Sequence, residues 1–244
     1  MRWSACKGML IYGINSVLEA IRSGRVGQLR VADRQSGRVA EAVAAAQRAG
    51  IEVRRVQASE LDRAAKGGVH QGVVAEVEHN QDYSIGDLVS EADGVPLLVV
   101  LDGIEDPHNL GAILRTVDAA GAHGVIRQSR RAAPLDGAAA KAAAGAISHV
   151  KIAEVVNIAR AIEELKEAGV WTVGLAGDSP NRYDQLDLRV PLALVVGAEG
   201  TGLRRLVRER CDWIASIPMR GHVQSLNVSV ATGIAVFEAL RQRG

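Results

Sequence analysis

The sequence predicts an α/β protein in which a parallel sheet with helices on both faces follows a smaller α/β module. Three observations predict this class. From Pro96 onward, near-continuous apolar runs of strand length alternate with helical stretches, as in buried parallel strands joined by right-handed crossovers. Before Pro96, an alanine-rich helix and an alternating strand indicate a separate small module. An acidic segment lies between the two and is typical of a domain boundary.

In the N-terminal module, residues 16–21 carry the apolar spacing of a helix. Residues 38–50 are predicted to form an alanine-rich helix that Gly50 closes. Residues 72–77 alternate like a strand. Together these elements predict a compact α/β fold for the first module.

Charge divides the chain into three parts. Residues 1–78 hold 12 Lys/Arg against 8 Asp/Glu, and residues 79–95 hold none against 4. The sequence therefore predicts a net basic domain at 1–78, an acidic linker at 79–95 and a second domain at 96–244. The excess of four positive charges at 1–78 suits phosphate binding but is equally common on surfaces that bind nothing.

The second domain is predicted from its alternating elements. Apolar runs predict strands at residues 97–101, 123–126, 170–175, 192–196 and 213–217. Helical stretches lie at residues 135–146, 155–168 and 202–210, and further helices follow His108 and Asn227. Ligands of such sheets bind beyond the carboxyl ends of the strands, so the loops at those ends are where we expect a site.

Composition excludes several classes of function. Cys6 and Cys211 lie far apart, and the six histidines show no ligand spacing, so we expect neither a disulfide framework nor a metal. No apolar run reaches the roughly 18 residues of a membrane span, and residues 1–10 lack a signal peptide's apolar core. We therefore expect a cytoplasmic protein with a disordered lead-in at residues 2–7. Aromatic residues make up 3% of the chain, which disfavours an aromatic platform for RNA bases.

The first polar loop, within LDGIEDPHNLGAILRT, contains Asn109 and leads to Arg115. Leu110, Ile113, Leu114 and Val117 fall on one helical stripe, which puts Arg115 on the opposite, solvent-facing or ligand-facing side. The structural alternatives are that Asn109 caps the helix and that Arg115 is a solvated surface residue.

The second polar loop, within LALVVGAEGTGL, places Glu199 between Gly197 and Gly200. Its GxxGxG spacing reverses the dinucleotide fingerprint, and no Lys-Ser or Lys-Thr follows, which disfavours a phosphate cradle. The structural alternatives are a tight turn with positive φ at both glycines and a carboxylate at a helix N-terminus.

The third polar loop, within IPMRGHVQSLNVSVATGIAVFEAL, places Ser225, Leu226 and Asn227 at the start of the final helix. Ser225 would cap that helix in the structural interpretation, with Val230, Ile234 and Phe237 in the core. Asn227 is harder to explain structurally, because an amide at a buried helix start must find partners.

These three segments, in this order, resemble the SpoU family of RNA 2′-O-ribose methyltransferases, a branch of the knotted SPOUT class. The chain looks most like the bacterial enzymes that methylate a guanosine of large-subunit (23S) ribosomal RNA, and the resemblance includes MLIYGINSVLEAI and KGGVHQGVVAEV near the N-terminus. It implies S-adenosyl-L-methionine as cofactor, a C-terminal trefoil knot, a homodimer through the C-terminal domain and an N-terminal RNA-binding domain that resembles ribosomal protein L30e.

The resemblance also implies the site residues. Gly197, Ile217, Leu226 and, more weakly, Ala176 would line the cofactor pocket. The catalytic set would be Asn109, Arg115, Glu199, Ser225 and Asn227, with the arginine matching Arg115 as the family's suggested base. A free guanidinium stays protonated at neutral pH, so either its surroundings perturb it or Arg115 orients the nucleotide and the proton leaves by another route.

Alternatives stay open at this stage. The RNA could be transfer RNA or another ribosomal loop, because substrate choice depends on surfaces without a motif. A non-catalytic RNA-binding relative should have lost Arg115 or Asn227, and both are present. The stretch IRQSRR at residues 126–131 replaces one that usually carries a proline-lysine pair in similar sequences, which leaves RNA contacts around Arg127 to Arg131 open.

Overall fold

The computed structural model describes residues 9–33, 37–65, 67–77, 83–135 and 137–244. The chain divides into two compact units, one of Met1–Gln81 with Pro134–His149 and one of Asp82–Ala133 with Val150–Gly244. The expected lead-in at residues 2–7 lies outside the described residues. The division differs from the expected three-part split, because residues 82–95 belong to the second unit and residues 134–149 to the first.

The bounds of the regular elements follow the chain. The strands are β1 (Met9–Tyr12), β2 (Val26–Ala32), β3 (Glu52–Val56), β4 (Val73–Val77), β5 (Leu97–Asp102), β6 (Gly124–Gln128), β7 (Ile152–Val155), β8 (Trp171–Leu175), β9 (Leu192–Gly197) and β10 (Trp213–Ala215). The helices are α1 (Ile14–Arg22), α2 (Gly37–Arg48), α3 (Ala58–Ala64), α4 (Ile85–Ser90), α5 (Pro107–Ala119), α6 (Gly137–Ala142), α7 (Ile158–Glu167), α8 (Arg205–Arg210) and α9 (Val228–Arg243), with 3-10 turns at Ala146–Ser148 and Tyr183–Gln185.

The first unit is built on a sheet of order β1-β4-β2-β3, in which β4 runs antiparallel to β1 and β2. Apolar side chains including Tyr12, Leu61 and Val74 form its core. The Tyr12 ring fills the space beside Gly137, where any side chain would overlap it, so α6 packs directly on β1. Arg25 donates a hydrogen bond from Nη1 to the Ser148 carbonyl at 2.5 Å. These contacts explain why residues 134–149 belong to this unit.

The second unit contains a parallel sheet of order β10-β8-β9-β5-β6-β7, which confirms the predicted class. Every residue of the central strand β5 is buried, because helices cover both faces of such a sheet. The amphipathic prediction for α5 is also correct: Leu110, Ile113, Leu114 and Val117 are buried. The trefoil knot stays a prediction.

Several element predictions need correction. The helix predicted at 155–168 starts at Ile158, because the sequence analysis missed β7 and Asn157 caps α7. The helix predicted at 135–146 ends at Ala142, where positive φ angles at Ala144 and Gly145 break it. The acidic segment contains α4, which a Ser84–Asp87 capping box starts and whose Ile85 and Leu88 are buried. The patterns of β1, β2, β3, α3 and α4 were not recognised.

No helix in the described ranges is long and apolar enough to cross a membrane. In the same ranges, no group of three or more His, Cys, Asp or Glu side chains is arranged to hold a metal ion.

Candidate functional site

A cavity of about 520 Å³ opens at the carboxyl ends of β8, β9 and β10. Its walls are the loops that leave these strands and the start of α9. The cavity brings together most of the residues that the sequence predicted for a site, namely Ala176, Gly197, Glu199, Ile217, Ser225, Leu226 and Asn227. Leu175 and Val196 add apolar surface from the strands themselves. The arrangement follows from the parallel sheet, because strands of one direction bring their carboxyl ends to one edge.

The loop after β9 folds back tightly over the end of that strand. A side chain at Gly197 would overlap the backbone of Gly202, and the Gly202 N–H donates to the Ala198 carbonyl at 2.8 Å. Gly200 has a φ of 82°, so the expectation of positive φ is correct there. It is wrong for Gly197, which has ordinary φ and must be glycine because another part of the backbone lies against it.

An ion pair between a buried carboxylate and a half-exposed arginine, which the sequence analysis missed, fixes the far end of this loop. The Asp102 carboxylate ends β5 and is fully buried. It accepts hydrogen bonds from the Arg204 backbone N–H at 2.8 Å and from Arg204 Nε at 2.6 Å. Charge-assisted hydrogen bonds of this kind are among the stronger ones in proteins. A charged residue at the end of an otherwise apolar strand, LLVVLD, was the available signal.

Hydrogen bonds join the three polar loops across 118 residues of sequence. Asn109 is 7% exposed, and its Nδ2 donates to Glu199 Oε2 at 3.2 Å. Asn227 Nδ2 in turn donates to Asn109 Oδ1 at 2.9 Å. Asn109 therefore reaches the cavity through its two partners, although it does not line the wall itself.

The cap assignments of both helices differ from the structural alternatives in the sequence. Asp106, not Asn109, caps α5, and its carboxylate accepts from the His108 N–H. Asn227, not Ser225, caps α9: its Oδ1 accepts from the Ser229 N–H at 2.9 Å. Ser225 is exposed on the cavity wall.

The cap of α9 also sets the direction of the hydrogen-bond chain. The Ser229 backbone N–H can only donate, so the oxygen of the Asn227 amide must face it. The Asn227 amide nitrogen then faces Asn109, whose own amide nitrogen is left to face Glu199. This chain of donors ends on the Glu199 carboxylate, which accepts the last hydrogen bond.

Arg115 lies on the exposed side of α5, opposite the buried stripe, as predicted. Within the described part of the chain, the structure gives its guanidinium no hydrogen bond or ion pair. Arg115 does not line the cavity. Its charge is therefore free to meet a ligand that approaches from solvent.

The mouth of the cavity carries a second ion pair that the sequence analysis missed. Arg208 Nη1 donates to both carboxylate oxygens of Asp178, at 2.8 and 3.0 Å. Hydrogen bonding from Arg208 lowers the pKa of Asp178 below its ordinary value, so this carboxylate is ionised at neutral pH. Both side chains line the cavity, which gives a ligand one acidic and one basic partner there.

Two family models match the chain. Residues 96–237 match the SpoU rRNA methylase family, and residues 10–83 match a family described as RNA 2′-O ribose methyltransferase substrate binding.

Individual relatives match nearly the whole chain. It is 47% identical over 239 residues to the 23S rRNA (guanosine-2′-O-)-methyltransferase RlmB of Pseudomonas aeruginosa, covering 96% of each chain. It is 45% identical over 240 residues to RlmB of Yersinia pestis, covering 96% of this chain and 98% of that one. Among solved structures, the SpoU methyltransferase AviRb from Streptomyces viridochromogenes in complex with the cofactor AdoMet is similar, with a TM-score of 0.78 and 26% identity, covering 96% of this chain and 90% of that one.

Proposed function

The chain belongs to the SpoU rRNA methylase family, and we propose that it transfers a methyl group from S-adenosylmethionine to the ribose 2′-OH of a guanosine in 23S ribosomal RNA. The observation that carries the proposal is the hydrogen-bonded chain of Asn227, Asn109 and Glu199, which joins three separate polar loops at the edge of one cavity. Relatives with this stated activity match 96% of the chain. Such an enzyme acts on ribosomal RNA in the cytoplasm.

The cavity fits S-adenosylmethionine in size and chemistry. Its volume of about 520 Å³ lies in the range of roughly 300–1,000 Å³ that small-molecule sites occupy. Apolar side chains of Ile217 and Leu226 offer contacts for a flat adenine, and the small residues Ala176 and Gly197 line the same cavity. The pair of Asp178 and Arg208 offers opposite charges for an amino and a carboxyl group.

When bound, S-adenosylmethionine supplies an electrophilic methyl group on a positively charged sulfur. The chain's own contribution is to hold the attacking hydroxyl in line with that methyl group. Positioning of this kind can lower the activation barrier of a two-substrate reaction by several kcal/mol. Glu199 lies on the cavity wall, where Asn109 fixes its carboxylate. Ser225 and Asn227 line the same wall beside it.

We assign Arg115 to the RNA nucleotide. Its guanidinium is exposed, and its planar fork suits a bidentate contact with a phosphate or ribose. We assign RNA binding also to the N-terminal module, because residues 10–83 match the substrate-binding family and residues 1–78 carry the excess of positive charge.

The activity is tested directly by mapping the product. We expect the purified protein to methylate unmodified 23S ribosomal RNA at the 2′-OH of a single guanosine and to leave bulk transfer RNA unmodified. Primer extension at low nucleotide concentration, with mass spectrometry of the modified nucleoside, identifies the position and the sugar. Methylation of transfer RNA alone, or of a nucleoside other than guanosine, would contradict the assigned substrate.

Asn227→Asp separates the cap of α9 from the hydrogen-bond chain. Aspartate caps a helix about as well as asparagine, so the cap should persist, while the hydrogen bond lost at the buried Asn109 should lower the free energy of unfolding by about 1–3 kcal/mol. The new carboxylate faces Asn109 Oδ1 and cannot donate to it. We expect the single-turnover rate of methyl transfer to fall at least about tenfold, or about 1.4 kcal/mol of barrier.

Asn157→Asp is the matched control, because the Asn157 side chain also accepts a backbone N–H at the start of a helix, α7, and does not line the cavity. It should leave the rate unchanged. Equal rates for the two variants would show that the hydrogen-bond chain does not contribute to methyl transfer.

We further propose that the protein is a homodimer through α9. The expectation that Val230, Ile234 and Phe237 lie in the core is wrong for two of them, because Val230 and Phe237 are each 50% exposed. The small residues Thr232 and Ala235 of the same helix are instead buried within the chain. An exposed apolar stripe on a helix beside the cavity supports a two-fold interface, in which both subunits use the same patch.

Phe237→Glu tests the dimer, since a two-fold interface meets the new carboxylate twice. We expect light scattering at micromolar concentration to show a dimer for the wild type and a monomer for this variant. Trp171→Glu is the control, because Trp171 is equally exposed at 48% but lies at the amino end of β8. A wild-type monomer, or a Phe237→Glu dimer of unchanged stability on dilution, would count against the proposal.

A further inference from the structure

The end of β6 holds an arginine whose charge is buried and incompletely paired. Arg127 is 5% exposed, and its Nη2 donates to the Ala133 carbonyl at 2.5 Å. Its Nε and Nη1 have no hydrogen-bond partner among the described residues. The nearest carboxylate, Glu154 on β7, lies 3.7 Å from Nη1 and is itself 41% exposed. Burial lowers the pKa of Arg127, as expected when a charge loses its hydration.

The loop that follows β6, residues 129–133, presents two more arginines to solvent. Both Arg130 and Arg131 are exposed, and neither has a hydrogen bond or ion pair in the portion of the chain that the structure describes. Arg131 has a φ of 51°, a conformation that costs a non-glycine residue energy and is concentrated at functional sites. Of these three guanidinium groups, only that of Arg127 lies near a carboxylate, and that contact, to Glu154, is long.

The loop is tied down at both ends. The Ser129 N–H donates to the Val155 carbonyl at 2.9 Å, and the Ala133 N–H donates to the Ile104 carbonyl at 2.8 Å. With the bond from Arg127 to the Ala133 carbonyl, three hydrogen bonds fix the backbone from which the two exposed arginines project. A positively charged loop with a fixed backbone suits an anion of defined position better than a mobile tail does.

The loop also lies at the same edge of the sheet as the cavity. It leaves the carboxyl end of β6, and only β5 separates β6 from β9 in the strand order. Two strand spacings amount to about 10 Å, so the loop and the cavity at the end of β9 share one edge. One RNA strand that places a ribose at the cavity can run along this edge to the loop.

We propose that the loop 129–133, with Arg127 as its positioning residue, is a phosphate-binding site for the RNA strand next to the methylated nucleotide. The inference rests on the proposed function and adds a contact surface to it. Phosphate is the chemistry that guanidinium groups bind through paired N–H donors. The compensating negative charge that the three arginines lack within the described chain would come from the RNA backbone.

The test is the salt dependence of RNA binding by the double variant Arg130→Gln/Arg131→Gln. Each lost phosphate contact should reduce the slope of log K against log salt by roughly 0.7–0.9. We expect a slope reduced by roughly 1.4–1.8 and an RNA dissociation constant raised at least about tenfold at 0.1 M salt. The dissociation constant for S-adenosylmethionine should stay the same.

Two further variants exclude simpler explanations. Arg189→Gln/Arg210→Gln removes the same net charge from exposed positions near the amino ends of β9 and β10, and should leave the slope unchanged. Arg131→Gly removes the cost of the positive φ, so it should raise the melting temperature and still weaken RNA binding. A merely structural role for Arg131 predicts unchanged RNA binding in that variant.

The outcomes separate this inference from the proposed function. If the wild type methylates 23S ribosomal RNA but the Arg130→Gln/Arg131→Gln variant binds that RNA with an unchanged slope, the phosphate site is overturned and the activity stands. If both double variants lose the same slope, the effect is one of net charge and the site is also overturned. A wild type that methylates no ribosomal RNA contradicts the proposed function itself.

Discussion

Gly197→Ala should strongly weaken the binding of S-adenosylmethionine. The new methyl group would overlap the Gly202 backbone, and backbone cannot move aside as a flexible side chain does. The loop 198–204 would have to lift from β9, although Asp102 anchors its far end through Arg204. We expect the dissociation constant measured by calorimetry to rise at least about 100-fold, or roughly 2.7 kcal/mol. Overpacking of this kind also costs about 1–3 kcal/mol of stability.

Gly177→Ala is the matched control. Gly177 lines the same cavity, but a methyl group there would meet nothing nearer than the Gln224 carbonyl at 3.7 Å, an ordinary contact. We expect this variant to bind S-adenosylmethionine within a few-fold of the wild type and to unfold at the same temperature. Circular dichroism of Gly197→Ala checks that the fold persists. Normal binding by a folded Gly197→Ala would show that the loop does not hold the cofactor.

The common edge of the three polar loops could be predicted from the sequence because it depends only on strand direction. Leu97 to Leu101, Leu192 to Val196 and Trp213 to Ile217 are short apolar runs, and parallel strands of this kind end at one edge. The loops that follow them therefore lie at one edge of the sheet, and the strand order decides which of them are neighbours. The glycine at 197 and the carboxylate at 199 could be located in the same way, since Gly197 ends a strand and Glu199 lies in the loop that follows it.

Partners that are distant in sequence could not be predicted. Asp102 and Arg204 are 102 positions apart, and the sequence around either residue does not identify its partner. The same holds for Asp178 and Arg208. Helix starts are uncertain by one or two residues in any reading of a sequence, which is why Asn227 rather than Ser225 proved to be the cap of α9.

The exposed side of α9 shows a further limit. Val230, Ile234 and Phe237 have the spacing of a buried stripe, and the spacing is the same whether the stripe faces the chain's own core or another molecule. Only packing decides, and here the chain buries Thr232 and Ala235 instead. The arginines at 127, 130 and 131 are similar, because a charge run in sequence says nothing about which of its members is buried.

Arg115→Ala should lower the rate of methyl transfer at least about 100-fold, or roughly 2.7 kcal/mol of barrier. Arg115 is exposed on α5 and has no partner within the described residues, so its removal leaves no buried group unsatisfied. We expect the free energy of unfolding to change by less than about 0.5 kcal/mol. The affinity for S-adenosylmethionine should also stay, because Arg115 does not line the cavity. Single-turnover transfer to unmodified 23S ribosomal RNA is the measurement.

Arg115→Lys distinguishes charge from geometry at the same position. Lysine keeps the positive charge but loses the planar fork that can hold a phosphate or ribose by two hydrogen bonds. If Arg115 orients the nucleotide, the rate of the lysine variant should be close to that of the alanine variant. If its role is purely electrostatic, the lysine variant should keep most of the wild-type rate. Arg189→Ala, an exposed arginine just before β9, is the control and should react normally. A wild-type rate for Arg115→Ala would remove this residue from the mechanism and leave the site to Asn109, Glu199 and Asn227.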